Sequence, residues 1–295
     1  MKKRFAAFMS TVLAAVLCAC SAAPKDVLPN KAAQPTEAPT QQAQTTQAAP
    51  TEQPTPEPDP VQQLLEEMTL EQKVGQLFLV RPDSLDLSQT QDQINDAKAD
   101  GVTELTDAMR QTLAEYPVGG VVIFGKNLES PQQITQFLDD LQQASDTPLF
   151  TAIDEEGGLV ARLANNAAFD LPQYESAAAV GTSGNPEDAR AMGRTIGGYL
   201  KEYGFNLDFA PVADVNTNPD NPIIGERAFS SDAATAAQMA AAAAEGLRQN
   251  GILPTLKHFP GHGDTAEDSH TDLAVTYKTL SLIHISEPTR QAEIS

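Results

Sequence analysis

Residues 148–158 read PLFTAIDEEGG, an apolar run that ends in an aspartate, two glutamates and two glycines. An uninterrupted apolar segment of this length, bounded by turn residues, predicts a strand over Pro148 to Ile153 buried on both faces. The chemically capable side chains therefore begin where the strand stops, at Asp154. The same order recurs along the chain. Val118 to Phe124 is a second apolar run, headed by glycines. Phe205 to Ala210 leads towards Asp214, and Ile252 to Lys257 ends on Lys257-His258. With the run Leu77-Phe78-Leu79-Val80, five strands are predicted.

Helical signals lie between them. Thr69-Leu70-Glu71-Gln72 is a capping-box pattern, and the short stretch Val61 to Met68 before it is amphipathic. Residues 90 to 115 are polar and predict helix. Ser130-Pro131-Gln132-Gln133 and Asn185-Pro186-Glu187-Asp188 each place an N-cap before a proline at the first helical position. The second of these helices is predicted to run to Tyr203 and stop at Gly204. Ser231 or Asp232 opens an alanine-rich helix to about Asn250, followed by Gly251. Strands separated by single helices imply right-handed crossovers and a parallel sheet. No phosphate-cradling GxGxxG follows a strand, so a (β/α)8 barrel is preferred to a doubly wound sheet. Five strands do not close a ring of eight, and the barrel is expected to be incomplete.

The flanks are expected to lie outside the fold. Lys2, Lys3 and Arg4 precede a short apolar region, an export-signal pattern over residues 1–20. Leu17-Cys18-Ala19-Cys20 resembles a bacterial lipobox, with Cys20 as the residue to be lipidated and so a membrane anchor. Ordinary signal cleavage near Ala19 or Ala23 is the alternative. Residues 21–60 hold nine of the 21 prolines and no glycine or aromatic residue. Such a stretch cannot bury enough apolar area to offset its ordering entropy and predicts a tether. It would span about 35 Å as a flexible coil and about 120 Å as extended polyproline II. Residues 281–295, SLIHISEPTRQAEIS, resemble the conceptual translation of a sequencing-library adapter. The globular segment is accordingly set at residues 61–280.

Composition narrows the function. The 40 acidic against 19 basic residues, for a formal charge of −21, exclude a nucleic-acid partner held by clustered Lys and Arg. The two cysteines both precede the domain, so neither a disulfide framework nor a thiolate zinc site is available there. Three of the four histidines fall within residues 257–270, KHFPGHGDTAEDSH. Three readings compete for them: loop polar groups that satisfy one another, a metal site using His258, His262, His270 and a carboxylate, or acid/base catalysis. In the last, Asp268 would fix the tautomer of His270 and stabilise its charged form. The histidine would then donate a proton to a leaving group and later take one from water. Asp154 with Arg162, and Arg227 in the segment 224–227, suit the gripping of sugar hydroxyls or form ordinary ion pairs.

With these residues in view the sequence resembles glycoside hydrolase family three, in its β-N-acetylhexosaminidase branch. MTLEQKVGQLF from Met68, IDEEGG from Ile153, FAPVADV from Phe209, IGERAF from Ile224, and KHFPGHGDT with DSH match in order over residues 65–280. The resemblance implies a (β/α)8 barrel and a retaining mechanism through an aspartate nucleophile. It implies Asp154, Arg162, Arg227, Lys257 and His258 as sugar-binding residues and His270, oriented by Asp268, as general acid/base. No cofactor and no metal are expected. The carbohydrate expected is terminal β-linked N-acetylglucosamine, from peptidoglycan, for an exported lipoprotein. Leu159 departs from the pattern, where the branch often has arginine. The nucleophile follows strand seven in this family, beyond Leu280, so none is assigned and the chain by itself is expected to be inactive. A β-glucosidase or β-xylosidase, a sugar-binding lipoprotein without catalysis, and a metal-dependent hydrolase remain as alternatives. Oligomeric state is not indicated.

Overall fold

The computed structural model describes residues 59–270 together with Leu273 and Val275. The segment expected to be an export signal with Cys20, the expected tether up to residue 58 and the segment 281–295 lie outside the described residues. The elements in chain order are α1 (Pro60–Glu67), α2 (Leu70–Gly75), β1 (Leu79–Val80), α3 (Gln91–Asn95), α4 (Asp107–Glu115), β2 (Gly120–Ile123), α5 (Pro131–Ala144), β3 (Phe150–Ile153), β4 (Glu155–Gly157), β5 (Val160–Ala161), α6 (Ala177–Gly181), α7 (Pro186–Glu202), β6 (Leu207–Asp208), α8 (Ala233–Arg248) and β7 (Leu253–Pro254).

The sheet is parallel, five-stranded, and ordered β1-β2-β3-β6-β7. Strands that neighbour one another in sequence order, joined by helical crossovers, give the α/β arrangement of a barrel wall. Among the described residues the sheet does not close, so this is a partial barrel. Its two edges carry exposed apolar side chains: Leu77 and Phe78 beside β1, Leu253 and Leu256 at β7. The short antiparallel pair β4–β5 is an excursion from the carboxyl end of β3.

One hydrophobic core lies between sheet and helices. Val121, Ile123 and Ile153 join Ile134, Phe137, Leu138 and Leu141 of α5, Met109 and Leu113 of α4, and Met192, Ile196 and Leu200 of α7. Each such fully buried side chain contributes about 1.5–3 kcal/mol relative to exposure. α7 and α8 pack closely because glycines face backbone across the interface. A Cβ on Gly193 would strike the Ala243 carbonyl, and one on Gly246 would strike that of Arg190.

The caps fall where the sequence placed them. Thr69 and Ser130 accept from the amides of Gln72 and Gln133, Asn185 from Glu187, and Asp232, rather than Ser231, from Thr235. The predicted helix over 90–115 is instead two short helices, α3 and α4. The Asp96 carboxylate takes the Lys98 amide at 2.8 Å and Thr106 restarts the helix by accepting from Met109. Local side-chain bonds of this kind compete with a continuous helix. The strands predicted over Phe205–Ala210 and Ile252–Lys257 shrink to two residues each, and Pro211 and Pro254 withhold donors from those ladders. Among the described residues no helix is long and apolar enough to cross a membrane.

Candidate active site

The site forms at the carboxyl end of the sheet, where β3, β6 and β7 deliver their following residues to one place. Two buried acids arrange the β3 exit. The Glu155 carboxylate accepts from the amides of Leu163 and Ala164 at 2.8 and 3.0 Å and from the Tyr199 hydroxyl at 2.9 Å. That folds the segment after β5 back over β3 and brings Arg162 Nη2 to 3.8 Å from Asp154 Oδ2. The Glu155 amide in turn donates to Asp208 Oδ1 at 3.0 Å, locking the exit of β3 to β6. Burial pushes Asp208 well above the usual carboxylate range, and burial also raises Glu155 against the hydrogen bonds that oppose it. Gly157 and Gly158 turn the chain with φ of 80° and 70°, values that L side chains rarely adopt.

Glu156, nearly fully buried, is the centre of a charge cluster. Arg227 grips it with two parallel bonds, Nε to Oε2 at 2.8 Å and Nη2 to Oε1 at 2.7 Å. Lys257 Nζ lies 2.6 Å from Glu156 Oε1 and donates to Asp154 Oδ1 at 2.7 Å. The Glu156 hydrogen bonds hold the Arg227 guanidinium above its usual range, against the effect of burial. Lys257 is placed by pairing with Val212 and by donation from the Ala213 amide to its carbonyl at 2.7 Å. The Lys257–His258 peptide bond that follows is cis.

Asp214, fully buried at its side chain, organises the histidine loop. Its Oδ2 accepts from the amide and from the ring Nδ1 of His258, at 3.1 and 2.6 Å, and its Oδ1 accepts from the His262 amide at 2.5 Å. Burial works to raise Asp214, but the His258 ring and the two loop amides outweigh it and hold the carboxyl below its ordinary value. His258 Nε2 then faces Arg227 Nη2 at 3.3 Å. Asn221 ties the loop to the turn that bears Arg227. Its amide nitrogen donates to the carbonyls of His262 and Thr265 at 2.8 and 2.9 Å, and its oxygen accepts from the amides of Ile223 and Ile224 at 2.9 and 2.6 Å.

Asp268 and His270 stand at the rim. Asp268 Oδ1 accepts from the His270 amide at 2.9 Å and meets His270 Nδ1 at 2.7 Å, so the loop turns tightly here rather than running extended. The amide of His270, then its ring, lowers the Asp268 carboxyl. The His270 side chain is 78% exposed. Together these residues line a pocket of about 270 Å³ that includes Asp154, Glu156, Arg162, Arg227, Lys257, His258, His262, Ser269 and His270. A larger groove of about 610 Å³ between α5 and the end of α7 has no basic side chain in its lining and no such convergence of charge.

Every site residue named from the sequence within the described region thus meets in one pocket or, for Asp268, on its edge. Glu156, Asp214 and Asn221 carried no assigned role, although the first two belong to the same strand-exit segments. Among the described residues no group of three or more His, Cys, Asp or Glu side chains is arranged to hold a metal ion.

With this geometry in hand, the likenesses to known proteins are informative. Residues 69–286 match the family model described as the glycosyl hydrolase family 3 N-terminal domain. The chain is 37% identical over 177 residues to β-hexosaminidase A of Pseudoalteromonas piscicida, covering 58% of this chain and 30% of that protein. It is 38% identical to β-hexosaminidase LpqI of Mycobacterium tuberculosis, over 58% of this chain and 42% of that one. The chain therefore spans less than half the length of these two relatives. A family 3 β-N-acetylglucosaminidase from Paenibacillus sp. str. FPU-7 superposes with a TM-score of 0.63 at 34% identity, over 73% of this chain and 38% of that one. NagZ from Neisseria gonorrhoeae, solved in complex with N-trifluoroacetyl-D-glucosamine, gives a TM-score of 0.57 at 27% identity, over 62% and 55% of the two chains. The parallel wall with its polar strand exits, and a family match covering most of the described residues, lead to one conclusion: the chain belongs to glycoside hydrolase family 3, and its described residues form part of the barrel of that family's N-terminal domain.

Proposed function

We propose that the complete protein is a retaining exo-β-N-acetylglucosaminidase that removes terminal β-linked N-acetylglucosamine, with peptidoglycan fragments as the natural substrate class. The observation that carries this reading is the pairing, in one pocket, of a hydroxyl-gripping charge cluster with an Asp268–His270 dyad at its rim. Asp154, with one oxygen directed to Lys257 and the other towards Arg162, accepts from substrate hydroxyls, while Lys257, Arg162 and Arg227 donate and His258, its Nδ1 proton taken by Asp214, presents Nε2 as an acceptor. His270 gives its proton to the glycosidic oxygen as the bond to the anomeric carbon breaks, and Asp268 holds the ring through Nδ1 in that step. An aspartate beyond Leu280 attacks the same carbon to form a glycosyl-enzyme. His270 then takes a proton from the water that resolves the intermediate. The relatives named as β-hexosaminidases support the N-acetyl sugar over glucose or xylose. Export and lipidation at Cys20, with the tether, would place the enzyme outside the cytoplasmic membrane, where such a polymer is found.

The test is a leaving-group series on the full-length protein. His270→Ala should lower kcat/KM by about 10²–10⁴ for an alkyl N-acetylglucosaminide and far less when the leaving group is an acidic phenol. A uniform loss across the series would sink the acid/base assignment. Residues 61–280 alone should show no turnover.

A further inference from the structure

The histidine loop has two unequal halves. From His258 to Thr265 it is bolted down: Asp214 takes three of its N–H groups and Asn221 takes two of its carbonyls. From Ala266 to His270 the loop rises to the rim, where the exposed His270 side chain stands. His262 joins the halves. Its Nδ1 lies 3.0 Å from Thr265 Oγ1 and its Nε2 3.1 Å from Ser269 Oγ, and Ser269 sits between Asp268 and His270 in the chain. Thr265 Oγ1 also lies 3.0 Å from the His262 carbonyl oxygen. With the hydroxyl proton of Thr265 directed there, Nδ1 of the ring donates to Thr265 Oγ1 and Nε2 accepts from Ser269 Oγ. A neutral imidazole satisfies both sides at once. Few other side chains could: it is planar and short, and it carries two polar atoms on opposite edges.

We propose that His262 is a positioning residue for the acid/base step: anchored by Thr265 and Asp214, it holds Ser269 and thereby sets where the Asp268–His270 pair stands over the pocket. The proposal rests on the reading of His270 as general acid/base. Proton transfer in a glycoside cleavage needs the donor within hydrogen-bond reach of one oxygen, and displacement of about 1 Å can cost about 10²-fold. A dyad on an exposed loop has this problem acutely, and the Ser269 bond restrains it from the pocket side without adding a carboxylate beside it.

The experiment compares His262→Ala, Ser269→Ala, the double variant, His262→Gln and His270→Ala in the full-length protein, on methyl and 2,4-dinitrophenyl N-acetylglucosaminides. Both single alanine variants should lose about 10- to 100-fold in kcat/KM on the methyl glycoside and less than about 3-fold on the dinitrophenyl one. The double variant should lose no more than His262→Ala, and His262→Gln should recover part of the loss. Ser269 is exposed, so its variant keeps the test decisive if His262→Ala fails to fold. Equal losses on both substrates, additive losses in the double variant, or full activity of Ser269→Ala would overturn the proposal. If these occur while His270→Ala still discriminates between the substrates, only the role of His262 falls. If His270→Ala shows no discrimination, the acid/base reading falls and takes the proposal with it.

Discussion

The cluster around Glu156 and the pair Asp268–His270 share a pocket and are built on opposite principles. Glu156 is withdrawn from water and met by two cations, with both its oxygens bonded at 2.6–2.8 Å. Asp268 and His270 touch each other across two residues of an exposed loop. The first arrangement fixes geometry: a bidentate Arg–carboxylate pair in a dry environment allows little movement. The second leaves the imidazole in contact with solvent, its side chain 78% exposed. The pocket is thus rigid and buried below and exposed above, and the histidine loop spans the two; on the proposed function, recognition falls to the first region and proton transfer to the second.

That division can be broken most severely at its base. Glu156→Ala would leave Arg227 and Lys257 in a buried site without their shared anion, and breaking such a pair costs about 3–5 kcal/mol. Thermal unfolding of the full-length variant should reveal a loss of that size, whereas His270→Ala should leave the midpoint nearly unchanged. The seam between the halves is next. Asn221→Ala strands the amides of Ile223 and Ile224 and takes one donor from each of two loop carbonyls, for an expected loss of about 1–3 kcal/mol in chemical denaturation. It should also raise KM, because the Arg227 turn and the histidine loop are released together.

Acid should separate the regions by sign. Asp214 and Asp268 have depressed folded-state values, so the stability each contributes is present above the ordinary carboxylate pKa of about 3.9 and disappears as pH falls through the lowered value. The histidine loop should therefore remain ordered to below about pH 4 and loosen beneath it, measurable by amide exchange at His258 and His262. Asp208 behaves oppositely. Its value is raised by burial, so its contribution is full below the unfolded pKa and is lost as pH rises through the folded one. Asp208→Asn keeps an oxygen for the Glu155 amide without the cost of holding a proton. Its unfolding midpoint should exceed that of the parent by more at pH 8 than at pH 5, the smallest of these effects. A variant equally shifted at both would show that Asp208 is charged in the fold.

Much of this architecture can be read without coordinates, because the signals are local. Caps at Thr69, Ser130, Asn185 and Asp232 and the apolar runs ending at Ile123 and Ile153 depend on neighbours a few residues away. The failures are also local in cause. A polar stretch at 90–115 has no apolar stripe strong enough to override the Asp96 turn, and prolines shorten strands that hydrophobicity alone extends. Within the site, Asp154, Arg162, Arg227, Lys257, His258, Asp268 and His270 are legible from motif and from placement after strands. Glu156 is one of three successive acids, Asp154-Glu155-Glu156, with nothing local to single it out, and Asn221 looks like an ordinary loop residue.

Periodicity and capping are set within one or two turns of chain, so the repeating strand–helix order, the helix starts and the polar residue types at the strand exits are already present in the linear order of residues. Which side chain pairs with which is a property of the assembled fold alone. Lys257 reaches Asp154 across 103 positions, and Arg227 reaches Glu156 across 71. Those partners are chosen by how the parallel strands register side by side. They are enforced by burial, because a carboxylate withdrawn from water must find its counter-charge wherever the fold has placed one.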